Sequence, residues 1–358
     1  MAYTNIDDPS AYFQNVLWTG DGSAGNAVTF DGNSDMQPDF VWSKRRDVGY
    51  GHVLKDTSRG GTSNNDVHLV SNTTAADSTY AAYRMDFNSD GFTLDGSGDS
   101  GFQASGTSMV SWSWKANGGT TASNTSGATT TTVQANQDAG FSILTWSGNG
   151  SATTLGHGLG VEPEVIIQKA RGTTSNWAVY HKQANAAPYN VATYLNLNDA
   201  TGIASNSWGT AASDINSNTF YLKHWFNYNT TNVAYCFASK QGYSKFGKYV
   251  GNGNANGTFV YTGFKPAWVM TKETGAAGAW VMYDNKRSTT ANPQDKYFSA
   301  DTFDAEATYT QYDFVSNGFK FRSSGSENSN GNTHIYMAFA ENPFVTSTDT
   351  NSIPTTAR

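Results

Sequence analysis

Three kinds of side chain in this sequence are spaced so that they could do chemistry. Carboxylates could hold a cation, aromatic rings beside amides could hold a sugar, and lysines or histidines could move protons. Asp86-Phe87-Asn88-Ser89-Asp90-Gly91 opens like an EF-hand loop, D-x-N-x-D-G, but the twelfth position is Ser97 in place of the bidentate glutamate. The matching later turns, Asn216-Ser217-Asn218 and Val315-Ser316-Asn317-Gly318, carry no acids. All three read better as Asn/Asp-Gly turns between strands, because these residues accept positive φ. A second acidic loop is Asp31-Gly32-Asn33-Ser34-Asp35. Its Asp31, Asn33 and Asp35 could hold one calcium ion, against the plainer reading of a solvated turn.

Lys44, Lys169 and Lys272 each stand six residues after a proline, at the end of an apolar run. A catalytic lysine would not be triplicated without its partners, so each should lay its stem on apolar surface and send its ammonium to water or a carboxylate. Asp56 with Arg59, and Asp284 with Arg287, share a D-x-x-R spacing that suits a turn-locking ion pair. The matching positions between them are His181 and Ala184. None of the six histidines stands two or four residues from another, and no metalloprotease, nucleophile-elbow, phosphate-loop or dinucleotide motif occurs. With 29 acids, a glycosidase pair could still assemble in space, but no motif marks one. Aromatic rings are the remaining signal, since Trp and Tyr stack on sugars while Asn, Asp and Ser bind hydroxyls. Trp42, Trp112, Trp268 and Trp280 lie in strand-like runs and are expected in the core. Trp208, Trp225 and Tyr228 lie where the copies diverge, so they are the candidate glycan contacts.

These residues sit on a sequence written three times. Pro38, Pro163 and Pro266 precede Phe40-Val41-Trp42-Ser43-Lys44, Val165-Ile166-Ile167-Gln168-Lys169 and Trp268-Val269-Met270-Thr271-Lys272. The match continues without a gap to Asp56, His181 and Asp284. A Gly-rich turn precedes each block, an aromatic hairpin follows it, and an apolar strand closes each copy near Trp114, Phe237 and Phe339. A spacing of 125 residues (38 to 163) and then 103 (163 to 266) is too long for a solenoid, whose unit runs roughly 20–50 residues. A unit of about 100 residues can bury a core of its own.

The expected organisation is a leader over 1–11, a first repeat over 12–116, a flexible Gly/Thr/Ser-rich linker over 117–128, a second repeat over 129–240, a third over 241–344 and a polar tail over 345–358. Val165-Ile166-Ile167 reads as a strand covered on both faces, and no stretch keeps a helical period over three turns. The fold class is therefore all-β, as three tandem homologous antiparallel β-sandwich domains of jelly-roll or lectin-like type. A short helix near 198–204 or 302–307 is compatible with this.

Composition narrows the function. Only 14% of the 358 residues are charged, and 14% are aromatic, with 10 Trp, 19 Tyr and 20 Phe. Ordinary soluble domains carry roughly 25% charge. A net charge of −7 without basic clusters disfavours a nucleic-acid partner. The lone Cys236 excludes an intramolecular disulfide framework, and no apolar run approaches the roughly 18 residues of a membrane span. The first residues lack the basic and apolar segments of a signal peptide.

Several segments resemble a known group of proteins. They are Tyr12-Phe13-Gln14-Asn15-Val16-Leu17-Trp18-Thr19-Gly20-Asp21-Gly22, the block Gln37 to Lys44, the turn His157-Gly158-Leu159-Gly160 before Pro163, and Tyr336-Met337-Ala338-Phe339-Ala340-Glu341-Asn342-Pro343-Phe344. The chain resembles uncharacterised repeat-bearing structural proteins of marine and cyanobacterial tailed phages. That resemblance implies a virion surface component of tail-fibre or appendage type, made in the host cytoplasm, and carries no catalytic motif. The expectation is a non-enzymatic protein in host-surface attachment, with other virion proteins and a host cell-surface glycan as partners. A homo-oligomer, a trimer among the options, would multiply weak contacts. No cofactor is expected beyond the optional calcium. The alternatives are a purely architectural decoration or connector protein and a tailspike polysaccharide depolymerase.

Overall fold

The computed structural model describes residues 4, 6–96, 98, 101–184, 193–200, 204–205, 208–209 and 211–346. These residues form antiparallel sheets, with only single turns of helix among them, such as Thr57–Gly60. Every repeat uses one strand order. A lead strand (Phe13–Thr19, Phe141–Ser147, Ser244–Val250) pairs with the closing strand (Ser108–Trp114, Thr231–Phe237, Thr333–Pro343). The closing strand pairs with the proline-led strand (Phe40–Arg45, Val165–Ala170, Phe264–Glu273). Then come a return strand (Val53–Asp56, Ala178–His181, Val281–Asp284) and a fifth (Val67–Val70, Thr193–Asn196, Gln294–Ser299). The register is common as well. Phe40, Val165 and Trp268 sit opposite Trp114, Phe237 and Phe339 on one side, and opposite Asp56, His181 and Asp284 on the other. The three prolines thus occupy one topological position. Pro266 lies inside its strand, where the ladder shifts, because proline donates no N–H.

Successive side chains of a strand point to opposite faces, and here both faces are buried. Phe40 and Trp42, Val165 and Ile167, and Trp268 and Met270 all enter one large central cluster. The residues between them, Val41, Ile166 and Val269, enter three separate smaller clusters, one within each repeat. Each large sheet therefore packs its outer face on its own hairpins and its inner face on the other two repeats. At the centre stand the equivalent residues Trp114, Phe237 and Phe339. Their ring centroids are 6.3, 6.0 and 5.5 Å apart, a triangle about a pseudo-threefold axis. Ile6 of the leader is buried in the same cluster.

Polar groups cross between repeats in one rotational sense. Lys44 reaches the Phe303 carbonyl of repeat three at 3.5 Å. Lys169 reaches the Thr74 carbonyl of repeat one at 3.1 Å, and Lys272 the Ala200 carbonyl of repeat two at 3.1 Å. The three residues are buried, and desolvation lowers each ammonium's pKa, to about 8 for Lys44 and Lys169. These lysines are clips between sheets. At the position occupied by His52, Trp177 and Trp280, a ring N–H donates to the carbonyls of Ser299, Val70 and Asn196 at 3.1, 3.0 and 2.8 Å. Outside this ring, Arg46 pairs with Glu306 at 2.9 Å and Arg171 with Asp77 at 2.6 Å.

The return-strand ends make a third cyclic set. Asp56 holds Arg59 and accepts the Tyr235 hydroxyl of repeat two at 2.7 Å. Asp284 holds Arg287 at 2.5 Å and accepts the Trp112 indole N–H of repeat one at 2.9 Å. In repeat two, His181 instead donates through Nε2 to the Tyr336 carbonyl of repeat three at 3.1 Å, while Nδ1 accepts the Gln183 N–H at 3.2 Å.

The segment expected as a flexible linker is ordered. Ala122–Asn124 forms an outer strand against Thr131–Asn136. Gly118 and Gly119, both at positive φ, turn their N–H groups onto the buried Asp39 carboxylate at 2.9 and 2.8 Å. Nor is 302–307 helical, and the other candidate helix, 198–204, lies partly outside the described residues.

Two expectations follow. Trp268→Ala should cost about 3–5 kcal/mol in the full chain, by loss of packing and a residual cavity. Residues 241–344 expressed alone should show no cooperative denaturant transition, because their inner face is left bare. A two-state unfolding curve from that fragment would overturn the shared-core account. The second expectation concerns acid. Burial lowers the His181 pKa to about 4, below the unfolded value of about 6.5. The unfolded chain therefore takes up a proton first on acidification. This histidine's contribution is whole above about pH 6.5 and is lost as pH falls toward 4, at no more than about 1.4 kcal/mol per pH unit. Replacing it (His181→Gln) should flatten stability against pH in that window, read by urea denaturation.

Candidate functional site

The acidic loops are turns tied by their own chain. The Asp86 carboxylate accepts the Asn64 N–H, and Asp90 accepts the Met36 N–H at 3.3 Å. Gly91 has φ +84°, and a Cβ there would lie 2.0 Å from the Val28 carbonyl, so the turn requires glycine. In the other loop, Gln14 accepts the Gly32 N–H and donates to the Ser34 carbonyl, both at 2.8 Å. Asp31 pairs with Lys286 of repeat three at 2.7 Å, so an ammonium stands where a cation was expected. Asn33 and Asp35 are exposed. Among the described residues, no group of three or more His, Cys, Asp or Glu is arranged to hold a metal ion.

The three candidate aromatic contacts separate. Trp208 is fully buried in the core of repeat two, stacked on Phe226 at 6.1 Å and an interplanar angle of 8°, with Tyr180 and Phe220 at 6.0 Å. It is a core residue, and its assignment as a ligand contact is corrected. Tyr228 is half-buried against the same cluster, and burial raises its hydroxyl pKa. Trp225 faces outward with 45% of its surface exposed, between the His224 ring at 4.2 Å and the Lys223 ammonium at 5.5 Å. Exposed Phe259 and Tyr261 were missed. Their signal was present, since Phe259-Val260-Tyr261 alternates and Val260 alone is buried.

Three clefts open at the repeat junctions, each between the end of one closing strand and the start of the next lead strand. The cleft of repeats three and one, about 230 Å³, is braced by its own side chains. Asn15 donates to Asn285 at 2.9 Å, and Asn285 donates to Glu341 at 2.9 Å. The cleft of repeats one and two, about 570 Å³, includes Tyr12, Gln37, Lys115 and Asp138. The cleft of repeats two and three, about 400 Å³, includes Glu164, Lys240, Gln241, Lys245 and Tyr261. The exposed rings offer apolar faces, and the clefts offer hydrogen-bonding and charged groups.

Burial separates the two tryptophans in stability. Trp208→Ala should cost about 3–5 kcal/mol, whereas Trp225→Ala should change stability by less than about 0.5 kcal/mol. Equal losses in denaturant melts would contradict these placements.

No curated protein and no solved structure is similar enough to this chain to match. Residues 8–343 match a family described as a domain of unknown function, DUF7483. That span takes in all three repeats, as one unit with a shared core would require. The chain belongs to the DUF7483 family.

Proposed function

We propose that this protein is a virion surface component of tail-fibre or appendage type, which contributes to host attachment through weak glycan contacts. In this reading the repeats are three homologous β-sandwich units fused about one axis, and the protein is not an enzyme. The observation that carries it is the pairing of a cyclic scaffold having a shared core with outer turns and edge strands that display aromatic rings. Trp225 beside Lys223 and Tyr261 beside Lys245 are the two clearest cases. Rigid display lowers the ordering cost of each contact, and repetition multiplies weak contacts. A trimer would present nine units, three chains of three. An architectural role is the second reading. It is favoured by the exposed Phe303 and Val48, an apolar pair suited to another virion protein.

Competition tests the proposal. Purified protein should bind host cells and reduce phage adsorption, and Trp225→Ala should weaken both. Folded protein that neither binds cells nor competes would leave the architectural role. Release of reducing sugar from host polysaccharide would instead make it a depolymerase.

A further inference from the structure

The three junction clefts occupy equivalent places but differ in chemistry. In the cleft of repeats three and one, Asp31 is paired with Lys286, and Glu341 with Lys265 from outside the lining at 3.0 Å, so its charges are already matched. At about 230 Å³ it also falls below the roughly 300–1,000 Å³ of ordinary ligand sites. The cleft of repeats one and two balances Lys115 with Asp138. The cleft of repeats two and three carries two ammonium groups, Lys240 and Lys245, against one carboxylate, Glu164. This local excess of positive charge stands on a chain of net charge −7. Neither lysine belongs to an ion pair among the described residues.

Tyr261 lines the same cleft, and Phe259 stands beyond its edge on the same strand face. Phe259–Tyr261 lies along the lead strand Ser244–Val250 without a backbone ladder between them. The seam is bridged by side chains, Lys245 Nζ to the Tyr261 carbonyl at 3.1 Å and Thr258 to the Val250 carbonyl at 2.9 Å. Tyr261 is 49% exposed and Phe259 44%, on one face of the strand, about 7 Å apart by strand rise. Lys245 is partly desolvated, which lowers its pKa, and an incoming anion would offset that cost.

We propose that this cleft binds an acidic saccharide, a pyranose bearing a carboxylate. Lys240 and Lys245 pair with the carboxylate, Tyr261 and Phe259 contact the apolar ring surface, and Glu164 and Gln241 take hydroxyls. The proposal rests on the attachment reading and names its ligand class.

The test is isothermal titration of the full-length protein with trigalacturonate and with galactotriose as its neutral counterpart. The acidic trimer should bind at least about tenfold more tightly, a difference of about 1.4 kcal/mol, and should weaken as salt rises. Tyr261→Ala should lose about tenfold, while Tyr261→Phe keeps binding within about twofold, as expected of a stacking contact. Lys240→Gln removes an ammonium that bridges nothing in the seam, so it should lose affinity for the acidic trimer and leave thermal melting unchanged. Equal binding of the two trimers would overturn the proposal. So would unchanged affinity in a Lys240→Gln/Lys245→Gln double variant. If the protein binds host cells but no acidic saccharide, this site falls and attachment stands. If it binds trigalacturonate but neither binds cells nor blocks adsorption, attachment falls and the site stands.

Discussion

The fold depends on the packing of Trp114, Phe237 and Phe339 around one axis. Each large sheet is apolar on both faces, and its own hairpins cover only one. The other needs a partner of the same width and curvature, and two further copies supply it. The inner faces of a single repeat would expose such residues as Trp42, Trp112 and Leu54 to water. At roughly 1.5–3 kcal/mol for each large side chain, that exposure exceeds what a domain of this size has in reserve. The repeats are thus coupled by the hydrophobic effect before any polar contact is counted.

The polar contacts then fix the rotational setting. A threefold arrangement lets each donor serve an acceptor one repeat away, and the lysine, ring N–H and return-strand sets all do so. The departures in repeat two have a physical reason in this pattern. Tyr235 and Trp112 donate to the return-strand aspartates of the preceding repeats. The equivalent residue in repeat three is Met337, which has no N–H or O–H to give. An aspartate at 181 would be buried without that donor, which is costly. His181 instead brings its own N–H and finds the Tyr336 carbonyl. The missing arginine partner follows, and Ala184 packs against the shared cluster in its place.

Much of the repeat was legible from residues alone. The Pro-to-Lys blocks align without gaps because their strands have one length and one register, and the structure places them in one topological position. The all-β class followed from apolar runs and turn residues. The common core was not legible, because a run such as Val165-Ile166-Ile167 says that both faces are covered but not by what. Trp208 was misread for a related reason. Divergence between copies marks a loop, but the Trp208 ring is buried against Phe226. Asp31 looked like a cation ligand because its partner Lys286 lies 255 residues away in sequence. Local spacing reports turns and alternation, and it is blind to contacts made when the third repeat returns to the first.

The same geometry explains where chemical variety can accumulate. Position 339 and its equivalents are held by the axis, but the next three residues leave it. They are Lys115-Ala116-Asn117, Ala238-Ser239-Lys240 and Ala340-Glu341-Asn342. All of them except Ala238 line the junction clefts. A substitution here changes the charge of a cleft without touching the aromatic triangle one residue earlier. Three copies of one backbone position therefore present three surfaces, one internally braced and two open. A cyclic scaffold of this kind separates what must stay alike, the inward faces, from what is free to differ, the junction rims. The chemistry of the rims can change while stability is held at the axis.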